Sequence, residues 1–180
     1  MKTLQLFLLA GLISLTLACN KDNLEQMIQK PIDFRSTASP EWAKNAAIYE
    51  VNIRQYTPEG TFQAFAAHLP RLKDMGVKIV WLMPIYPISE VQKKGALGSY
   101  YAVADYRGVN PAFGTMQDFK KLVQQIHALD MRIILDWVPN HTGWDHAWLK
   151  DNPDYYTTDV EGSIISPIDR KTGKSFGWTD

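Results

Sequence analysis

Three short apolar runs, residues 47–53, 77–83 and 133–135, are separated by two stretches in which apolar residues return every three or four positions. Runs of that length, rich in Ile and Val, read as strands, and the three-to-four spacing reads as one buried face of a helix. The order is therefore strand, helix, strand, helix, strand, which implies parallel pairing through right-handed crossovers. Two α/β architectures satisfy it: a doubly wound sheet and a (β/α) barrel.

The first helical stripe holds Phe62, Phe65, Ala66, Leu69, Leu72 and Met75. Pro70 interrupts it, and either kinks one helix or opens the first turn of another. Gly76 closes it in the manner of a C-cap glycine. The second stripe holds Phe119, Leu122, Val123, Ile126 and Leu129, after a Thr115–Asp118 spacing that fits a capping box. Between the second strand and this helix, residues 85–114 are polar and aromatic, a length of loop that compact folds keep for function.

The third run, Ile133-Ile134-Leu135, has no polar alternation, which suits a parallel strand covered on both faces. It breaks abruptly into Asp136, Trp137, Val138, Pro139, Asn140 and His141. A carboxylate at that point is costly unless hydrogen-bonded or functional, yet buried strands also end in Asx residues that merely cap a turn. No G-x-G-x-x-G follows the first strand, so a dinucleotide site has no support. Both later strands run into a proline and a polar loop, which fits functional loops at the C-terminal face of a barrel. Spacing alone leaves both architectures open.

The chain of 180 residues is 46% hydrophobic with a formal net charge of 0, which suits one globular body and argues against a nucleic-acid partner. Its start has a different logic. Lys2 precedes an apolar run over residues 4–18, with small Ala18 before Cys19, the pattern of an export signal; a span would need about 20 apolar residues. Cys19 is the only cysteine, so no disulfide can form within the chain, and its place resembles the lipidated cysteine of a bacterial lipoprotein, with Thr16 where an aliphatic residue is usual. The expected organisation is a signal over 1–19, a polar tether over 20–45, a first barrel segment over 46–141 and the start of an inserted domain over 142–180. The expected location is exported and membrane-anchored through lipid, in the periplasm or at the cell surface.

Leu135-Asp136-Trp137-Val138-Pro139-Asn140-His141 resembles the region written D-x-V-x-N-H in the α-amylase family of glycoside hydrolases. The stretch from Gly98 through Tyr101, Asp105 and Tyr106 to Asn110-Pro111-Ala112-Phe113-Gly114-Thr115 is similar to that family's loop after the second strand. The resemblance runs from about Ala46 onward. It implies the N-terminal part of a (β/α)8 TIM barrel, three β/α units followed by the start of a domain B. It also implies retaining cleavage or transfer of α-glucosidic bonds in α-glucans. Carried over by position, Tyr101 stacks on the sugar whose bond is broken, His141 hydrogen-bonds that sugar, Asp136 orders the site, and Asn140 ligates calcium in many relatives. Ser99 and Tyr100 stand where the family often has His-Gly, and no D-x-D-x-D-G calcium loop follows the first strand, where Arg54-Gln55-Tyr56-Thr57 stands.

Retaining hydrolysis needs a nucleophilic carboxylate and an acid about 5 to 5.5 Å apart. Tyr101, Asp136 and His141 supply a binding shell without that pair, which the resemblance puts beyond Asp180. A glycan-binding surface lipoprotein without catalysis is the alternative. His68 and His127 read as ordinary helix residues, Trp81 as core, Lys93 and Lys94 as a solvated loop tip, and Asn140-His141-Thr142 as a chance glycosylation sequon; His146 keeps both a sugar contact and a structural role open.

Overall fold

The computed structural model describes residues 38–177. The expected export signal, the lipidation site Cys19, residues 20–37 of the tether and Asp180 lie outside the described residues. The chain divides into residues 1–41 and 42–180, and the fold that follows is that of the second unit. Among the described residues, no helix is long and apolar enough to cross a membrane.

Three strands form one parallel sheet in the order β1 (Ala47–Val51), β2 (Val77–Leu82), β3 (Arg132–Leu135). The register aligns Tyr49 with Val80 and Ile133, and Val51 with Leu82 and Leu135. Side chains alternate across a strand, so these two rows share a face. That face joins the helices in one core, with Val51, Val80 and Leu82 buried among Phe62, Phe65, Leu69, Leu72, Leu122 and Ile126.

The helical connections are α1 (Ile53–Tyr56), α2 (Phe62–Ala66), α3 (Leu69–Asp74) and α4 (Met116–Ala128), with a short α5 (Trp148–Asp151) after β3. Ile53 was expected to end the first strand and instead opens α1, because its buried side chain belongs to the core whether the backbone is extended or helical. The first stripe is two helices. Pro70 lies in the first turn of α3, where its missing N–H has no intrahelical acceptor to lose. Met75 leaves the stripe at 59% exposure, and Gly76 follows with φ +87, a left-handed cap that other residues rarely adopt. Thr115 and Asp118 form the expected capping box: the Asp118 N–H donates to Thr115 Oγ1 at 3.1 Å and the Thr115 N–H to Asp118 Oδ2 at 3.0 Å.

The expectation of cover on both faces of the third strand does not hold for the described residues. β3 is an edge strand, and Ile134, on the face turned from the helices, is 42% exposed. Trp81, expected in the core, lies on that same face and is half-buried between Glu50 and Ile134 in the register. Residues 85–114 are an ordered loop with buried Ile85, Tyr86, Ser89, Ala102 and Val103. The Asn110 N–H donates to the Ile85 carbonyl at 2.7 Å and the Ser89 N–H to that of Ala102 at 2.8 Å, so the loop folds back on its own start.

Candidate functional site

Asn52 and Asp136 each stand one residue past the end of a strand, β1 and β3 respectively. The Asp136 N–H donates to the Leu82 carbonyl at 2.9 Å, which fixes its backbone at the upper edge of the sheet. Alternation turns its side chain to the face of Ile134, away from the helices. There the Tyr101 hydroxyl donates to Asp136 Oδ2 at 3.0 Å. Burial raises the Tyr101 phenol above its ordinary range, and the hydrogen bond and negative charge of Asp136 add to the shift. Tyr101 is therefore a firm donor at neutral pH.

The segment carrying Tyr101 is fastened from below. The Tyr100 hydroxyl donates to Asn52 Oδ1 at 3.0 Å, the Arg54 guanidinium lies 4.2 Å above the Tyr100 ring, and Arg54 Nη2 donates to the Leu97 carbonyl at 3.3 Å. Arg54 thus occupies, with a loop-holding role, the position where a calcium-binding stretch was sought. Neither Asn52 nor Arg54 was singled out from sequence as part of the site. The signal was available: both follow the C-terminal end of a strand, where barrel sites gather.

His141 is partly buried, and its Nδ1 lies 3.2 Å from Asn140 Nδ2. With the Asn140 amide donating, His141 Nδ1 is the acceptor of that contact. The loop that carries His141 is held by Tyr106, whose hydroxyl donates to the Val138 carbonyl at 2.9 Å and that of His141 at 2.7 Å. Tyr86 is buried nearby; burial raises its phenol, and the charge of Asp136 raises it further.

The loops after β2 and β3 are locked together. The Gly143 N–H donates to the Val103 carbonyl at 2.8 Å, and a Cβ on Gly143 would lie 2.2 Å from that of Ser89. The Asp145 carboxylate accepts the backbone N–H of Glu90 at 2.8 Å and of Val91 at 3.4 Å. His146 is buried, its ring 4.5 Å from that of Trp148, and its Nδ1 accepts the Trp148 N–H at 3.1 Å. Its contacts are those of a structural residue. His68 packs edge-on against Tyr56, and His127 is exposed near the end of α4, so neither joins the site.

Past His141 lies an open pocket of about 300 Å³ lined by Asn140, His141, Trp144, Trp148, Tyr155 and Tyr156 among others. Among the described residues, no group of three or more His, Cys, Asp or Glu side chains is arranged to hold a metal ion. Asn140 is exposed and bonded to His141, and one amide oxygen falls far short of the about 6 to 8 oxygen ligands a calcium ion takes. These residues do not form a calcium site by themselves.

A three-stranded parallel sheet with helices on one face and polar side chains gathered beyond its C-terminal edge is the arrangement of an arc of a (β/α) barrel. A family model described as "Alpha amylase, catalytic domain" matches residues 26–168, and the chain belongs to that family. Its three parallel strands and the helices between them are an N-terminal portion of the family's (β/α)8 barrel, as expected from sequence, whereas the third expected β/α unit shows only its strand among the described residues. It is similar to α-amylase 3 of Dictyoglomus thermophilum, 32% identical over 142 residues that make up 76% of this chain and 27% of that protein. Oligo-1,6-glucosidase of Parageobacillus thermoglucosidasius is 34% identical over 128 residues, 64% of this chain and 22% of its own. The crystal structure of an α-amylase from Lactobacillus plantarum superposes with a TM-score of 0.66 at 43% identity, covering 72% of this chain and 30% of that one. The chain therefore spans between 22% and 30% of the length of these relatives.

Proposed function

We propose that the whole protein hydrolyses α-glucosidic bonds of starch-like α-glucans, or transfers the glycosyl group, with retention of configuration. The observation that carries this reading is the Tyr101 to Asp136 hydrogen bond at the C-terminal edge of the sheet. It joins an aromatic ring to a carboxylate beyond the strand ends, and the family resemblance implies that the scissile sugar meets these two residues and His141. Tyr101 packs on the apolar face of that sugar, His141 hydrogen-bonds it, and Asp136 fixes Tyr101. Retaining chemistry needs a nucleophile and an acid, and the family resemblance implies that both lie beyond Asp180. Relatives named as α-amylase and as oligo-1,6-glucosidase support the reaction class.

The same reading makes the protein an exported lipoprotein held to its membrane through Cys19, facing the periplasm or the cell surface. Residues 1–19 serve as signal, 20–45 as tether, and 142–180 open domain B. Calcium, where bound, takes Asn140 together with ligands outside the described residues.

The test is the anomer of the first product. Proton NMR of maltooligosaccharide hydrolysis by the protein expressed from its whole reading frame should show the α-anomer first, before mutarotation. An initial β-anomer contradicts retention. Binding of the oligosaccharide with no product at all favours a glycan-binding lipoprotein instead.

A further inference from the structure

Tyr106 belongs to the loop after β2, yet its hydroxyl reaches the loop after β3 and lies 2.9 Å from one carbonyl oxygen and 2.7 Å from another. The acceptors, Val138 and His141, flank the turn at Pro139 and Asn140. A single phenolic proton shared between two carbonyls sets the orientation of both peptide planes, and the second plane is that of His141 itself. The ring is held in turn by Tyr86 at 5.5 Å, Trp137 at 6.4 Å, His146 at 5.5 Å and Trp148 at 5.7 Å between centroids. Aromatic neighbours on several sides leave the phenol little freedom to turn away. The backbone bonds that anchor this segment lie outside the turn, at the Asp136 N–H and the Gly143 N–H.

We propose that Tyr106 is a positioning residue for His141: by pinning the carbonyls of Val138 and His141, its hydroxyl sets where the imidazole meets the sugar. The proposal rests on the reading of His141 as a sugar-binding residue. Its logic is geometric. A displacement of about 1 Å in a positioning group is enough to lower a rate by orders of magnitude, so a two-point restraint at the root of the side chain matters more than its own stabilising energy. Burial, with Tyr156 and Tyr86 adding to it, raises the Tyr106 phenol, so the hydroxyl remains a donor throughout the neutral range.

Tyr106→Phe removes the hydroxyl and keeps the ring. In the protein expressed from its whole reading frame, kcat/KM on a chromogenic maltooligosaccharide should fall about tenfold, mostly in kcat, with Tm changed by no more than about 4 °C. Adding Tyr106→Phe to His141→Ala should cause no further loss, because the positioned group is already gone. Multiplying losses in the double variant, or unchanged kinetics in the single one, overturn the proposal. A second readout is independent of activity: hydrogen exchange across residues 138–143 should quicken in Tyr106→Phe and stay unchanged in β1 and β2. Unaltered exchange at 138–143 overturns the proposal as well. Should the unsubstituted protein hydrolyse no α-glucoside, the functional reading fails by that result, while the exchange measurement still decides whether Tyr106 holds the His141 loop.

Discussion

Tyr101 and Asp136 are 35 residues apart in sequence, on loops after different strands, and meet through a hydrogen bond of 3.0 Å. Each is partly buried, so each depends on the other for a partner in a place with restricted access to water. Tyr101→Phe should therefore leave Asp136 short of a donor and cost about 0.5 to 1.5 kcal/mol, the net contribution of a typical hydrogen bond. Urea denaturation measures the change. A cost indistinguishable from zero would mean that solvent replaces the bond and that the pair is not a structural unit.

Gly143 is required by the close approach of two loops. A methyl group there would sit 2.2 Å from Ser89 Cβ, 2.7 Å from Ser89 Oγ and 3.1 Å from the Ala102 carbonyl oxygen. Gly143→Ala should destabilise by about 1 to 3 kcal/mol, the usual range for overpacking. Ser89→Gly in the same chain removes the two nearest atoms and should restore much of the loss. Thermal melts of the single and double variants check this, and equal melting of both would show that the clash is relieved by a different movement.

Acid should loosen the same junction. Burial pushes the His146 imidazole below its ordinary 6.5, against the raising influence of Asp105 and Asp145. For Asp145, burial opposes ionisation, but the Glu90 N–H, the Ser89 side chain and the Val91 N–H outweigh it and hold the carboxyl below 3.8. In both cases the unfolded chain binds more protons over an acidic window, so stability rises with pH there. The fold loses stability as pH drops below 6.5, where an unfolded His146 protonates more readily than the folded one. The Asp145 contribution is present above 3.8 and is lost as pH falls through its lower folded value. Melting temperatures between about pH 7.5 and pH 5 should decline, and the decline should flatten in His146→Gln. Parallel curves would contradict the assignment.

The strand and helix order was legible because apolar runs and apolar stripes have different periods, and the Thr115 and Asp118 capping box was legible because it is local. Asp136 and His141 were legible through a motif at the end of β3. Tyr106 carried no such trace: the partners of its hydroxyl are backbone carbonyls, which leave no mark on residue identity. In the sequence Asp145 looks like an ordinary surface acid until the Glu90 N–H, 55 residues away, is brought to it. The end of β1 was misjudged at Ile53 because an apolar residue is equally at home in a buried strand and in the buried turn of a helix. The 42% exposure of Ile134 was not legible, because an unbroken apolar run does not record that β3 is the edge of the described sheet.

The proposed lipid anchor depends on one atom, the Cys19 sulfur. Cys19→Ala should move the protein from the membrane fraction to the soluble exported fraction. Unchanged membrane retention after fractionation would rule out the lipid anchor.

The most direct test of the account sets two preparations side by side on a chromogenic maltooligosaccharide: the protein expressed from its whole reading frame and the 180-residue chain. The first should turn over, with His141→Ala lowering kcat/KM by about one to two orders of magnitude, each tenfold corresponding to about 1.4 kcal/mol of transition-state stabilisation. The 180-residue chain should show no turnover, since the proposed reading gives Tyr101, Asp136 and His141 the binding of a sugar and leaves the acid and the nucleophile to residues beyond Asp180. Robust hydrolysis by that chain, abolished by Asp136→Asn, would contradict the account and make Asp136 the catalytic carboxylate.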